Sequence, residues 1–557
     1  MSAVSSEVRR RVPDAAGDGE PKNDSEKRKA AAGSPTSEGG DGGFGVSFGR
    51  GQKPLVHIEV PKGVWALLSL TFACSVTLLY VNIDMRSINI DEFQQIKNVT
   101  VHQAASCAGT VTRTDPVVWV HAKGLESGYL RHVIDVFQRA GYRVETGRPA
   151  RWDVLWSHNY PFGDLGYDMN HLTPGQRVNH IPGAGFITNK VSLATSSSTK
   201  HIPIAFKLPR QKQEFVTFAK SHPETLWVQK ANSHRGIVAR SADEVELNLE
   251  DTFVQKYIEN PLLVDGYKFD IGVYVVMTSV KPLRVYMFEG DALLRFCSKP
   301  YDKRSRDLDT YVVGDNYLPI WEVPSLKGFF TTHKLSMKES LNLYLRQKGL
   351  NPDKIWDQIR EAVSSVYFEK QRDIEKVSRR FSSLTPFFEL VRFDFLVDSH
   401  LNVHLLEANM SPNLSSAHFK PNARLYEQVI YSLLSVTGLL SAPREAGSRE
   451  GYSRSEMVVS DQDLAVYPGQ CAADCAGSSN NCRSSELCEL CASCWEEDTQ
   501  KALKLAYVEH VKRAKFRRLI PVPERDPADS EFLKNPSNRL MYLWFEGKCQ
   551  LDQTFCS

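Results

Sequence analysis

Three oxygen-bearing side chains, those of Asp394, Glu407 and Asn409, lie close together in residues 388–414 (FELVRFDFLVDSHLNVHLLEANMSPNL). Apolar and β-branched residues flank a group of turn formers at 398–402, which predicts a β-hairpin. In a paired hairpin the three side chains meet at one end. Mg²⁺ prefers hard oxygen ligands together with substrate phosphates, so the spacing predicts a nucleotide-bound magnesium site. An ordinary hairpin with acidic residues on its wet face fits the same spacing.

Two lysines are candidates for contacting the phosphates of such a nucleotide. Residues 227–230 form a predicted strand that ends in Lys230, and the loop at 231–237 that follows is suited to wrapping phosphates. Residues 253–258 and 272–278 are rich in strand formers, and the stretch between them, 265–270, is predicted to be a turn that delivers Lys268 and Asp270.

The predicted elements that must position these residues are typical of an α/β domain. Residues 116–120 and 152–156 are predicted strands, and between them residues 126–140 carry apolar side chains at helical spacing, which is a β-α-β start. Residues 341–381 are predicted to be helical. An apolar stripe there is expected to face the core, and it consists of Ile355, Ile359, Val363 and Tyr367.

Composition indicates a folded protein of several domains. The chain has 557 residues, of which 42% are hydrophobic. Its formal net charge is only +2, from 68 Lys and Arg against 66 Asp and Glu. No whole-molecule field therefore favours nucleic acid, and no nucleic-acid partner is predicted.

The N-terminal part is predicted to anchor the chain in a membrane. Residues 1–60 are polar and rich in small residues, which predicts a disordered tail. The 21 residues from Gly63 to Ile83 carry no charge and match the length of a transmembrane helix, although a buried helix of a soluble domain is an alternative. The flanking basic residues weakly favour a cytosolic N-terminus, and an acceptor sequon follows at Asn98. The protein is thus expected to be a single-pass membrane protein, and the side on which the rest of the chain lies stays open.

Eight of the eleven cysteines lie between Cys471 and Cys556. An even set fits four disulfides in a lumenal or extracellular module, which is the favoured interpretation. Two CxxC spacings in residues 488–494 leave zinc binding in a reducing compartment as the alternative. The basic stretch 501–520 is predicted to be helical. The expected layout adds linkers at 84–114 and 441–470 and a cysteine-rich module at 471–557.

Four stretches, 179–193, 227–237, 253–286 and 388–413, together resemble the tubulin-tyrosine-ligase-like family, and the resemblance spans residues 115–440. It implies an ADP-grasp fold and an ATP- and Mg²⁺-dependent ligase that joins an amino acid to a protein. In such chemistry ATP activates a carboxylate as an acylphosphate, which an amine then attacks.

The resemblance also implies roles for individual residues. The residues implied to line the adenine are Gln255, Lys256, Tyr257 and Ile258. Lys230 and Lys268 are implied to approach the phosphates and Asp270 the ribose. Arg295 is implied to steady the reacting phosphate and carboxylate, and the magnesium ligands are implied to be Asp394, Glu407 and Asn409.

Two departures from the family pattern stand out. An arginine usually follows Lys-Phe-Asp and one apolar residue, yet here the position is Gly272, and residues 307–323 lack the family's next landmark. Losing one donor to developing negative charge typically costs about 100-fold or more in rate. The resemblance as a whole implies a ligase that adds glutamate to a protein, with tubulin as the default acceptor. An ATP-binding pseudoenzyme or membrane-tethered scaffold, and a ligase acting on a lumenal protein, are the alternatives.

Overall fold

The structure is a computed structural model. It describes residues 115–557 except 174, 197–198, 232–237, 304, 306, 441–458, 476–481, 483–484, 523–530 and 557. The described residues belong to one compact unit, residues 111–557. The predicted tail at 1–60, the apolar segment from Gly63 to Ile83, the sequon at Asn98 and most of the phosphate loop at 231–237 lie outside the described residues. Along the described part of the chain, no helix combines the length and the apolar composition that crossing a bilayer requires.

The chain opens with a small parallel sheet. Its strands are β1 (Val117–His121), β2 (Arg143–Glu145), β3 (Val154–Ser157) and β4 (Arg177–Val178), in the order β2-β1-β3-β4. Helix α1 (Arg131–Arg139) connects the first two strands and buries Val133 and Phe137. The predicted β-α-β start is confirmed. Three short helices accompany this part of the chain, namely α2 (Gly166–Asn170), α3 (Gly185–Thr188) and α4 (Lys190–Ala194).

A second, antiparallel sheet carries one of the two candidate lysines. Its strands are β5 (Ala205–Leu208), β6 (Trp227–Ala231), β7 (Val238–Arg240) and β8 (Thr252–Lys256), in the order β5-β8-β6-β7. Helix α5 (Lys212–Ser221) packs Phe215 against Trp227, with ring centroids 5.0 Å apart. Lys230 lies near the end of β6, directly opposite Phe253.

The main sheet has eight strands built around one long strand, β10. These strands are β9 (Leu263–Val264), β10 (Tyr267–Val280), β11 (Leu283–Phe288), β12 (Leu293–Phe296), β13 (Leu318–Pro319), β14 (Glu389–Val397), β15 (Val403–Met410) and β16 (Phe516–Ile520). Along one edge β10 pairs with β12 and then with β11, and along the other edge it pairs with β14. Both β11 and β14 are buried along their whole length. The sheet is thus a rigid support whose side chains are fixed by packing.

The helices that pack on this sheet follow the apolar pattern of the sequence. They are α6 (Pro324–Thr331), α7 (Met337–Gln347), α8 (Asp353–Ser378) and α9 (Ala423–Val436). Helix α7 begins with a capping box in which Ser336 and Glu339 bond each other's backbone N–H. All four members of the predicted apolar stripe on α8 are buried. The helical prediction for residues 341–381 and the α/β class are confirmed.

The C-terminal segment combines short helices with disulfides. The helices are α10 (Asp461–Leu464), α11 (Pro468–Asp474), α12 (Glu486–Glu489), α13 (Glu497–Val511) and α14 (Pro536–Leu551). The predicted disulfides are confirmed, and four are present: Cys471–Cys491, Cys475–Cys488, Cys482–Cys494 and Cys549–Cys556. Their connectivity was beyond the reach of the sequence.

This segment is also tied into the main sheet. Strand β16 pairs antiparallel with β11 and lies at the end of the strand order. Glu509 of α13 is buried and accepts hydrogen bonds from Arg284 Nε at 2.8 Å and Nη2 at 3.0 Å. It also accepts from Tyr286 Oη at 3.0 Å and Thr278 Oγ1 at 2.9 Å. A buried carboxylate with four donors therefore joins α13 to β10 and β11.

Two local predictions were wrong. Lys268 and Asp270 lie on β10 and not in a turn, since the reversal is confined to Asp265 and Gly266, which both have positive φ. Residues 501–520 are not helical throughout, because α13 ends at Val511 and the chain then enters β16. In both places pairing with a neighbouring strand decides the conformation.

Candidate active site

The end of the β14–β15 hairpin brings the three predicted magnesium ligands together. Asp394 lies directly opposite Glu407, and Arg392 lies opposite Asn409. Asn409 Nδ2 donates to Asp394 Oδ2 at 2.9 Å and to Glu407 Oε1 at 3.2 Å. The sequence prediction that these three side chains meet at one end of a hairpin is therefore right in its geometry, with the amide nitrogen of Asn409 facing the two carboxylates.

Asp394 is held by two arginines. Its side chain is 2% exposed, and it accepts hydrogen bonds from Arg392 Nε at 2.7 Å and Nη2 at 2.8 Å. Arg295 Nη2 donates to Asp394 Oδ2 at 3.0 Å. Burying a carboxylate is costly unless it is paired and hydrogen-bonded, and the two guanidinium groups supply that pairing. Sequence analysis did not single out Arg392, although an arginine within an apolar strand is itself a signal.

Arg295 bridges two carboxylates. On β12 it lies directly opposite Asp270 of β10, and its Nε and Nη2 donate to Asp270 Oδ1 at 2.9 Å and Oδ2 at 2.8 Å. Burial raises the pKa of Asp270 to about 6, against the opposing effect of Arg295. Burial alone would lower the pKa of Arg295, but Asp270 and Asp394 outweigh it and raise that pKa. The carboxylate implied to face the ribose is thus engaged with Arg295, which it orients.

The two predicted phosphate lysines are present as buried or partly buried cations. Lys268 is 7% exposed, and its Nζ donates to the carbonyl oxygen of Tyr311 at 2.8 Å. Lys230 Nζ donates to Gln255 Oε1 at 3.1 Å. Burial lowers the pKa of each lysine to about 8. Desolvated ammonium groups with few protein counterions are suited to receiving an anionic ligand.

The predicted adenine hinge links the second sheet to the main sheet. Gln255 and Lys256 close β8, and Tyr257 and Ile258 lead out of it. Tyr257 is buried, its N–H donates to Leu226 O at 2.8 Å, and its ring centroid lies 5.1 Å from Lys268 Nζ. Gln255 is buried and turns its amide toward Lys230, so its side chain positions that lysine.

Lys190 is a further cation that sequence analysis did not name. It is the first residue of α4, and its Nζ lies 3.3 Å from Glu407 Oε2. Burial would raise the pKa of Glu407, but Lys190 and the hydrogen bond from Asn409 outweigh it and lower the pKa to about 2. Glu407 is therefore anionic at neutral pH. Lys190 lies within the resembling stretch 179–193, which was the available signal.

The donor set fits a hard divalent cation. Asp394 and Glu407 supply carboxylate oxygens, and Asn409 would add its amide oxygen in place of the Nδ2 that faces them. Such oxygen donors are the set that Mg²⁺ uses with phosphates, whereas zinc favours His and Cys. Among the described residues no three His, Cys, Asp or Glu side chains group as a metal cluster. Five basic side chains surround three acids here, an excess suited to a polyphosphate. The basic residues are Lys190, Lys230, Lys268, Arg295 and Arg392, and the acids are Asp270, Asp394 and Glu407.

Comparison with known proteins identifies the protein family that this chain resembles. Residues 168–445 match the model of the tubulin-tyrosine ligase family. The chain is 37% identical over 519 residues to the probable tubulin polyglutamylase ttll-15 of Caenorhabditis elegans, covering 88% of this chain and 99% of the worm protein. It is 27% identical to human tubulin polyglutamylase TTLL13 over 49% of this chain and 35% of that protein. It is 28% identical to human tubulin polyglutamylase TTLL5 over 51% of this chain and 23% of that protein. With the worm relative matched along nearly its whole length, the chain belongs to the tubulin-tyrosine ligase family.

Proposed function

We propose that this protein is an ATP- and Mg²⁺-dependent ligase of the ADP-grasp type that adds glutamate to a protein acceptor, with tubulin as the first candidate. The observation that carries the proposal is the hairpin end where Asp394, Glu407 and Asn409 meet beside Arg295. The relatives support glutamate and tubulin, because they are named tubulin polyglutamylases.

The proposed roles follow from charge and position. Asp394, Glu407 and the amide oxygen of Asn409 would hold the cation, which when bound neutralises charge on the phosphates. Lys230 and Lys268 would bind the phosphates, and residues 255–258 would line the adenine between the two sheets. Arg295 would stabilise charge that develops on the carboxylate as it is activated. Such a reaction depends on positioning and charge neutralisation and needs no protein nucleophile.

A transfer assay tests the proposal. Purified protein is incubated with tubulin, labelled glutamate, ATP and Mg²⁺, and incorporation is measured for the wild type, Glu407→Gln and the exposed-site control Glu214→Gln. We expect ATP-dependent incorporation by the wild type and the control and a loss of about 100-fold or more in Glu407→Gln. ATP binding without transfer to any acceptor would instead identify a nucleotide-binding pseudoenzyme or scaffold.

A second candidate is the same ligase acting on a lumenal protein. Four disulfides in the C-terminal segment favour an oxidising compartment, where tubulin is absent. In this proposal the segment from Gly63 to Ile83 anchors the chain and places the ligase in the lumen.

Endoglycosidase treatment of the full chain expressed in cells separates the two candidates. A mobility shift that is lost in Asn98→Gln would support the lumenal ligase and contradict tubulin as acceptor. An unshifted, active protein would support the cytosolic tubulin ligase.

A further inference from the structure

We propose that Arg392 supplies, from β14, the guanidinium group that the family pattern places at the position of Gly272 on β10. The inference rests on the proposed ligase function, and it concerns how the chain retains that function despite the departure at Gly272.

The space at Gly272 is already filled by Arg392. Gly272 pairs directly with Asp394 in the register between β10 and β14. A Cβ atom on Gly272 would lie 3.1 Å from Arg392 Cδ, 3.4 Å from Arg392 Nε and 3.1 Å from Asp394 Oδ1. Contacts this short mean that any side chain here would press on Arg392 and Asp394, and a long side chain would have to displace Arg392. Glycine at this position is therefore what allows the Arg392 side chain to lie across β10.

Arg392 is fixed in this place by the strand and by Asp394. The two residues are separated by one position on β14, so their side chains project from the same face of the sheet. Arg392 is 6% exposed, and its Nε and Nη2 form a bidentate pair with Asp394. Burying an arginine side chain in a fully buried strand carries an unfavourable desolvation free energy, and the bidentate pair with Asp394 offsets it. The side chain is thus preorganised at the candidate cation site.

The same carboxylate also binds Arg295, the residue implied to steady the reacting groups. Arg392 Nη2 and Arg295 Nη2 therefore both donate to the same oxygen of the buried Asp394, Oδ2, at 2.8 and 3.0 Å. An arginine side chain has five N–H donors, and Arg392 uses two of them in its bidentate pair with Asp394. The remaining donors would serve the terminal phosphate of a nucleotide whose cation Asp394 would help to hold. The family's arginine is, on this account, moved to the neighbouring strand and not lost.

A purely structural clamp and a phosphate-binding arginine differ in what their removal changes. When binding is measured without Mg²⁺, so that the proposed cation role of Asp394 does not contribute, a clamp that only holds Asp394 would alter folding and the binding of ATP and ADP alike. A guanidinium directed at the terminal phosphate contributes to ATP binding and not to ADP binding. The ratio of the two dissociation constants is therefore a readout that does not depend on turnover.

The test compares the full-length wild type with three variants: Arg392→Gly, Arg392→Lys, and an exchange variant that carries both Gly272→Arg and Arg392→Gly. Arg517→Gly, the same change on β16 of the same sheet, is the matched control. Dissociation constants for ATP and ADP, the thermal midpoint and glutamate incorporation are measured for each. We expect Arg392→Gly to lose about 100-fold in incorporation and about tenfold in the preference for ATP over ADP. We expect the exchange variant to recover at least tenfold of the lost incorporation.

The inference is overturned if Arg392→Gly keeps the wild-type preference for ATP, or if a folded exchange variant recovers nothing. If the exchange variant does not fold, Arg392→Lys is the deciding variant. Because it retains the positive charge, its preference for ATP over ADP should lie between those of the wild type and Arg392→Gly. A preference equal to that of Arg392→Gly overturns the inference. Failure of the wild type to transfer glutamate would instead refute the proposed ligase function, and the ATP preference would still test Arg392.

Discussion

Removing the carboxylate of Glu509 should strongly destabilise the protein, although this residue lies far along the chain from the candidate ligands. Glu509 receives four hydrogen bonds from β10 and β11, two of them from Arg284, whose side chain is 3% exposed. Glu509→Ala leaves that guanidinium group buried without its counterion. Breaking a buried pair in this way costs about 3–5 kcal/mol. For a unit of this size each kcal/mol shifts the thermal midpoint by about 1–2 °C, so a fall of roughly 3–10 °C is expected.

Differential scanning fluorimetry checks this expectation with two comparisons. Glu497→Ala removes an exposed carboxylate from the same helix and should cost about 1 kcal/mol or less. The double variant Arg284→Met with Glu509→Leu removes both charges and should lose less stability than Glu509→Ala alone. A fall in the thermal midpoint of Glu509→Ala no larger than that of Glu497→Ala would refute the reasoning. So would a double variant whose loss of stability equals the sum of the losses of its two single variants, Arg284→Met and Glu509→Leu.

Three further predictions concern the site itself. Glu407→Gln should weaken the Mg²⁺ dependence of ATP binding by about tenfold, seen when Mg²⁺ is titrated at fixed nucleotide, while ATP binding without Mg²⁺ stays close to wild type. Lys230 and Lys268 have pKa values of about 8, so each is charged below pH 8 and neutral above it. Because bound phosphate favours the charged form, the ATP dissociation constant should rise above pH 8 by up to about tenfold per pH unit for each lysine. Lys230→Ala should remove one lysine's share of that slope. Gly272→Ala should destabilise the fold by about 1–3 kcal/mol in urea unfolding, because its Cβ would press on Arg392 and Asp394, and an unchanged midpoint would contradict the crowding.

The sequence predicted best those features that depend on residues near one another in the chain. The turn formers at 398–402 and the apolar runs on both sides define the hairpin, and the hairpin alone brings Asp394 to Glu407. The even number of cysteines likewise predicted disulfides. Local pattern was sufficient in these cases because the interacting groups share one turn or one short segment.

Other features depend on strands that are distant in the chain. Gly272 and Arg392 are neighbours only because β10 pairs with β14, so the sequence showed a missing arginine without showing the arginine beside it. The apolar residues of 501–520 fit helical spacing, but pairing with β11 turns their second half into β16. Asp270 was expected to be open to a ligand, and its contact with Arg295 requires the register between β10 and β12. Tertiary pairing overrides local preference at each of these points.

The placement of β16 beside β11 has a practical consequence for how the protein can be divided. A chain truncated after the family-matching region would leave the backbone N–H and C=O groups of β11 unpaired along the edge that β16 covers, on a buried and mostly apolar strand. Open edges of that kind readily pair with other chains and aggregate. The segment that contains the disulfides therefore acts as an intramolecular edge cover, and a soluble, minimal ligase from this protein would have to extend at least through Ile520.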